Sequence, residues 1–224
     1  MNRTLSTFSR LERLLQQAHT ISTTVPLFML PYPAPPLLTM TLPGKKAEVF
    51  ASLLQHGILY PVEQPVALGD FLLSLPGFSQ EYLEQCVQTI FINGAAADSF
   101  DAVLAPGSIV ALSAAMPGLA GAIFRRQGLH SSLRSQVAST RAVAAEGPGF
   151  IKVKFFNHIA IDRACDVLSR GALVEGRAWH DFAARRADIF QAPAALTFDQ
   201  ETIEYKRLLQ EVDKYPMINL QIQG

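Results

Sequence analysis

The sequence predicts an α+β fold, with strands and helices mixed along the chain. Two short runs of β-branched and aromatic residues, at 90–92 and 109–112, lie next to the turn signals Asn93-Gly94 and Pro106-Gly107. These dipeptides adopt backbone conformations that other residues resist, so they bound each run as a strand. In residues 150–156 (FIKVKFF), lysine alternates with apolar side chains, which is the period of a half-buried strand. Apolar residues spaced three and four apart elsewhere predict helices between the strands.

The composition excludes several classes of protein. The chain has 224 residues, 49% of them hydrophobic, which is enough to bury a sizeable core. Basic and acidic residues both number 19, so no overall charge favours a nucleic-acid partner. Cys86 and Cys165 are too few for a disulfide scaffold, and the N-terminus lacks the apolar core of a signal peptide. We therefore expect a cytoplasmic protein.

The N-terminal segment, residues 1–36, contains two predicted elements. Apolar residues recur at helical spacing through 5–18, which indicates an amphipathic helix. The stretch 21–43 has no charge and several prolines, so it should lie extended. Pro33-Ala34-Pro35-Pro36 resembles a polyproline ligand for a partner, but the apolar residues around it favour packing on the protein itself.

The next elements follow from the same rules. Side-chain patterns predict strands at 37–42 and 58–62, separated by a helix at 45–56 that ends at a glycine. Two shorter helices are predicted at 66–75 and 80–88.

Residues 104–124 carry no charged side chain and are long enough to span a bilayer. Prolines and glycines interrupt the stretch, which makes it a poor membrane helix. We therefore predict a buried strand followed by a loop, with no membrane span.

A basic stretch, residues 125–149, holds four arginines against one acid, Glu146. We interpret it as a solvated connecting helix; contact of the arginines with phosphate or an acidic partner is the alternative. Gly147-Pro148-Gly149 then marks a boundary.

The C-terminal part, residues 150–224, forms a second, small α+β subdomain in this interpretation. Its predicted elements are a strand at 150–156, a helix at 161–169, a strand at 172–174, a helix at 179–186, a helix reaching about 214 and a strand at 217–222. Thr197 followed by Gln200 has the form of a capping box that would start the last helix. Both halves run strand, helix, glycine, strand, with Gly57 and Gly171 at matching places, so a duplicated unit is one hypothesis.

Residues 66–121 resemble the ubiquitin-like β-grasp proteins of the sulfur-carrier type, which include the small subunit of molybdopterin synthase and the thiamine-pathway carrier. The resemblance is carried by LGDFL at 68–72, FING at 91–94, LAPGS at 104–108, IVAL at 109–112 and MPGLAG at 116–121. It implies a β-grasp domain at 37–124. Carriers of this type end in Gly-Gly, whereas this chain has Gly-Leu-Ala-Gly and continues, so carrier chemistry would require cleavage after Gly121.

The residues show no catalytic motif, so whether the chain is an enzyme is left open, and no cofactor is predicted. A metal set of His158, Cys165 and His180 lacks recognised ligand spacing, and surface or capping histidines are the simpler interpretation. Cys165 would need a lowered pKa to act as a nucleophile.

Three functions are therefore considered. The first is a non-catalytic β-grasp-like protein that binds a protein partner or a second copy of itself. The second is an enzyme or small-molecule-binding protein with a site between the halves. The third is a processed sulfur carrier. The predicted binding residues are Gly118, Leu119, Gly121, Arg125, Arg126, His158 and His180.

Overall fold

The structure is a computed structural model, described here for residues 34–42, 47–114, 116, 118–126, 128, 147–190 and 195–224. The predicted helix at 5–18, much of the proline-rich stretch and most of the basic stretch at 125–149 lie outside these residues.

Strands and helices are mixed along the described chain. The strands are β1 (Leu37–Thr41), β2 (Ile58–Val62), β3 (Val66–Ala67), β4 (Thr89–Ile92), β5 (Ala95–Ala96), β6 (Val103–Leu104), β7 (Ile109–Ser113), β8 (Gly149–Phe156), β9 (Ala172–Glu175), β10 (Ala195–Phe198), β11 (Glu201–Thr202) and β12 (Met217–Gln223). The helices are α1 (Ala51–His56), entered through a 3-10 turn at Ala47–Phe50, α2 (Leu68–Ser74), α3 (Gln80–Gln85), α4 (Gly118–Phe124), α5 (His158–Asp162), α6 (Ala164–Ser169), α7 (Gly176–Arg185), α8 (Ala187–Phe190) and α9 (Tyr205–Val212). The α+β class is confirmed.

One mixed sheet of 10 strands organises the molecule, in the order β11-β10-β1-β12-β9-β2-β8-β7-β4-β5, while β3 pairs with β6 apart from it. The pairs β1·β12 and β7·β8 are parallel, and the other pairs in the large sheet are antiparallel. From the central pair β9·β2 towards either edge of the sheet, the successive strand pairs therefore have the same orientations: antiparallel, parallel, antiparallel, antiparallel.

The two predicted units, 37–124 and 150–224, contribute interleaved strands to this sheet. Strand β1 pairs with β10 and β12, and β8 lies between β2 and β7. Buried residues of both units also belong to one hydrophobic cluster. The two units therefore share one sheet and one core.

Side-chain alternation predicted the two longest strands correctly. In β8 the apolar residues Ile151, Val153 and Phe155 are buried, and the residues between them are partly exposed. Strand β12 buries every second residue in the same way. This pattern leaves Lys152 and Lys154 on the face opposite the core.

Glycine and asparagine place the chain reversals. Asn93 and Gly94 have φ of 51° and 84°, and they connect the paired residues Ile92 and Ala95 in a two-residue hairpin. Both values are positive, which is the geometry of the turn that the Asn-Gly pair predicts. Both strand-helix-glycine-strand units are also present, β1–α1–β2 and β8–α5–α6–β9. A duplication stays a hypothesis.

Two local predictions were wrong. Thr197 does not cap a helix but lies in β10, opposite Thr39 of β1, because the edge of β1 accepts a strand there and buries Leu196 and Phe198. Asp199 and Gln200 then form a two-residue hairpin turn, and α9 begins at Tyr205.

The loop predicted at the end of the uncharged stretch is helix α4 instead. The ring of Phe124 lies 5.3 Å from the ring of Phe91, so the segment gains an apolar contact with β4 that favours the helix. Every helix within the described ranges falls short of the length and apolar character that a bilayer crossing needs.

Candidate functional site

The predicted binding residues around α4 differ in exposure. Leu119 is 70% exposed, and Arg125 is also at the surface. Gly121 is buried, and a Cβ atom on it would lie 1.7 Å from the carbonyl oxygen of Met116. Gly118 starts the helix with a φ of 71°. Of the predicted binding residues in this segment, Leu119 and Arg125 therefore have the exposed side chains.

Arg126 has a structural environment. Its guanidinium lies 4.2 Å from the centre of the Phe100 ring and donates to the carbonyl of Leu83 at 3.2 Å. Burial lowers the pKa of Arg126, while Asp98 and Glu84 oppose that effect. These contacts connect the end of α4 to the α3 region.

His158 is exposed at the start of α5, directly after β8. Strands β7 and β8 are parallel, so the chain leaves both at the same end of the sheet. Asn157 donates to the hydroxyl of Ser113 at 3.0 Å across these two ends. His158 and the start of the segment that leads to Gly118 therefore lie at the same end of these two strands.

His180 lies in an open cleft of about 570 Å³, which we call the histidine cleft. It is lined by Arg177, His180, Asp181, Asp213, Tyr215 and Pro216. The imidazole nitrogens lie 3.6 Å from a carboxylate oxygen of Asp181 and 3.7 Å from one of Asp213. The lining residues include one guanidinium, Arg177, and two carboxylates, so this cleft has no excess of positive charge.

A second open cleft, of about 540 Å³, has unbalanced charge; we call it the basic cleft. Its described lining residues are Ser52, Gln55, His56, Lys154, Phe156, Phe182, Arg185 and Arg186. Helix α1 of the first unit supplies one wall, and β8 and α7 of the second supply the others. No carboxylate is among the described lining residues. The basic cleft therefore lies between the two predicted halves and is positively charged.

A glycine shapes one side of the basic cleft. Gly57, with a φ of 118°, follows α1 and lies beside the stems of two lysines. A Cβ atom there would lie 2.7 Å from Cγ of Lys152 and 3.3 Å from Cγ of Lys154. The missing side chain leaves room for both lysine stems to cross the end of α1, and it allows Lys154 to reach the cleft wall.

Neither cleft is lined by Gly118, Leu119, Gly121, Arg125, Arg126 or His158, and His180 lines only the histidine cleft. Cys165 is exposed on α6. Among the described residues, no group of three or more His, Cys, Asp or Glu side chains is arranged to hold a metal ion.

No local pattern in the sequence identifies the residues of the basic cleft. The alternating lysines of β8 and the adjacent pair Arg185-Arg186 were visible as charges, and His56 as the end of a helix. Nothing local connects residue 52 to residue 186. Only the packing of α1 against β8 and α7 brings these residues together.

Comparison of the chain with family models, with curated proteins and with solved structures finds no match.

Proposed function

We propose that this protein binds a small anionic molecule in the basic cleft. The observation that carries the proposal is an open, positively charged cleft between the two predicted halves, in a chain whose net charge is zero. A local excess of positive charge in a concave site attracts anions and strengthens the hydrogen bonds made to them. The proposal corresponds to the second of the three functions, with different residues.

The lining residues suit that role. Lys154 supplies an ammonium group, and Arg185 a planar guanidinium that can bind two oxygens at once. Ser52 and Gln55, three apart on α1, add polar groups to the opposite wall. The volume falls within the range of about 300–1,000 Å³ typical of small-molecule sites.

Calorimetric titration with inorganic pyrophosphate at low ionic strength tests the proposal. We expect saturable binding that weakens as salt is added, because salt screens exposed charges over about 10 Å. Lys154→Gln should reduce the affinity, while Arg170→Gln, which changes an exposed arginine outside both clefts, should not. Absence of binding, or equal losses in both variants, would refute the proposal.

The β-grasp assignment is part of the same proposal. It is supported by a mixed five-strand set, β2-β8-β7-β4-β5, with the Asn-Gly hairpin at its edge and α2 packed through the Phe71–Tyr60 ring contact of 5.9 Å. In this arrangement one strand of the five, β8, comes from outside residues 37–124. A β-grasp-like unit would therefore combine both predicted domains.

A sulfur-carrier function would require a free tail ending at Gly121. In the structure this glycine lies within α4 and is buried, so α4 would have to unwind. The intact mass of the protein from its native host tests this function. A fragment ending at Gly121 would support it, and a full-length unmodified mass would exclude it.

Leu119 supports a second candidate, association through α4. Its side chain is 70% exposed, and the zero net charge offers little repulsion between copies. Leu119→Asp should lower the apparent mass in size-exclusion chromatography if copies associate through this residue. An unchanged elution volume would count against association at α4.

A further inference from the structure

We infer that the ligand of the basic cleft is a metabolite-sized phosphate monoester, bound as a dianion by Lys154 and Arg185. This inference rests on the proposed function and adds the ligand class. It is based on the difference between the cations of the cleft, since one of them already has an acidic partner among the described residues and two do not.

Arg186 is already neutralised. Its Nε lies 3.2 Å from Oδ1 of Asp188, and a terminal nitrogen lies 3.5 Å from the other carboxylate oxygen. The second terminal nitrogen donates to the carbonyl of Val49 at 3.4 Å. Arg186 therefore connects α7 to the turn before α1, and its charge is offset by Asp188.

Arg185 and Lys154 keep their charge available. Among the described residues, Arg185 makes a hydrogen bond only through Nε, which donates to the carbonyl of Asp181 at 3.0 Å, and its two terminal nitrogens are left for a ligand. Lys154 has no acidic partner among the described residues, in contrast to Lys152, whose Nζ lies 2.5 Å from a carboxylate oxygen of Glu175. The two lysines are two residues apart on the same face of β8, yet only one of them has a free charge.

Two free positive charges match a ligand with two negative charges on neighbouring oxygens. A phosphate monoester has a second pKa of about 6, so it is mainly a dianion at pH 7.5. A carboxylate or a phosphate diester has one negative charge and would leave one cation uncompensated. Arg185 can bind two phosphate oxygens in its fork geometry, and Lys154 a third as a point charge.

The remaining volume indicates an organic group on the phosphate. The cleft holds about 540 Å³, several times what a single phosphate needs. Phe156 is half-buried on its wall and offers an apolar surface, and Phe182 is buried beneath. An apolar or aromatic ester group would contact these rings while the phosphate meets the two cations.

Two matched probes test the ligand class by calorimetric titration of the full chain at pH 7.5. Phenyl phosphate carries two negative charges, and methyl phenyl phosphate carries one with a similar ring. We expect phenyl phosphate to bind at least about tenfold more tightly, and methyl phosphate to bind more weakly than phenyl phosphate. Equal affinity for the two phenyl compounds would overturn the dianion inference while leaving anion binding intact, which the pyrophosphate titration measures separately.

Lys152 and Lys154 provide a matched control for the assignment of the binding residues. Lys154→Gln and Arg185→Gln should each weaken phenyl phosphate binding by about tenfold and reduce the preference over the diester. Lys152→Gln removes the same charge from the same face of the same strand, and it should leave the affinity unchanged because Lys152 is paired with Glu175. Equal losses in Lys152→Gln and Lys154→Gln would overturn the assignment. Unchanged circular dichroism in all three variants establishes that each folds.

Discussion

Replacing Gly176 by alanine should destabilise the protein, although the local sequence suggests the opposite. Gly176 is the first residue of α7. Alanine has the higher helix propensity, by up to about 1 kcal/mol, so helix formation alone predicts a more stable variant. The tertiary contacts predict a less stable variant. The sign of the change in the free energy of unfolding therefore shows which of the two effects is larger.

The magnitude follows from the packing around Gly176. A Cβ atom on this residue would lie 2.1 Å from the carbonyl oxygen of Tyr215 and 3.1 Å from that of Val212. Carbon and oxygen in ordinary contact are about 3.3 Å apart, so the helix and the turn after α9 would have to separate by roughly 1 Å. That movement would strain the hydrogen bond from Gly176 N–H to the carbonyl of Pro216, which measures 3.0 Å.

Overpacking costs about 1–3 kcal/mol, and weakening one backbone hydrogen bond costs about 1 kcal/mol. After subtracting the propensity gain, we expect the free energy of unfolding to fall by about 2 kcal/mol. For a chain of this size the Tm should fall by about 4–8 °C.

Urea unfolding followed by tryptophan fluorescence measures the effect directly. Trp179 is the single tryptophan of the chain; it is fully buried, and it lies on α7 itself. Arg177→Ala is the matched control, since Arg177 is the next residue, is exposed, and should change stability by less than about 0.5 kcal/mol. A Gly176→Ala variant as stable as the wild type, or more stable, would refute the packing argument.

Two further predictions concern a buried hydroxyl and a strained turn. Burial raises the pKa of the Tyr60 phenol above its ordinary value of 10.0, and its hydroxyl has no partner among the described residues. The unfolded chain releases the phenol proton at a lower pH than the folded protein does. The stability that the protonated phenol contributes is therefore complete below about pH 10 and is lost as the pH rises towards the folded pKa. Tyr60→Phe should therefore be at least as stable as the wild type at pH 8 and lose less stability by pH 10.5 in urea unfolding; equal losses would contradict this. Gln200 has a φ of 69° in the turn between β10 and β11, a backbone conformation that glycine adopts without strain. Gln200→Gly should therefore raise the free energy of unfolding by about 0.5–1 kcal/mol. An equal gain in Gln200→Ala would show that backbone strain is not the cause.

The sequence by itself determined the elements whose signals are local. Alternation in β8 and β12 showed which side chains would be buried, since successive residues of a strand point to opposite faces. The Asn93-Gly94 pair marked where β4 ends, because few other residues adopt positive φ at both turn positions. A similar rule explains why α1 ends at Gly57.

Only the tertiary structure decided which strands are neighbours. Strand β8 lies between β2 and β7, and β1 pairs with strands from the other end of the chain. The same long-range pairing turned Thr197 into a strand residue, since β1 supplied hydrogen-bond partners that a capping box could not outweigh. Pairing depends on the sum of contacts across the whole sheet, and no short stretch of sequence contains that information.

The basic cleft is a product of the same packing. Residues 52–56, 154–156 and 182–186 converge because α1 packs on β8 and against α7. Sequence alone showed that Lys152 and Lys154 share one face of a strand, but it could not show that Glu175 pairs with the first and leaves the second free. That difference comes from the sheet order, in which β9, the strand of Glu175, lies next to β2 and β8 beyond it. The charge of each lysine follows from its chemistry, whereas the charge available to a ligand depends on neighbours that are distant in sequence.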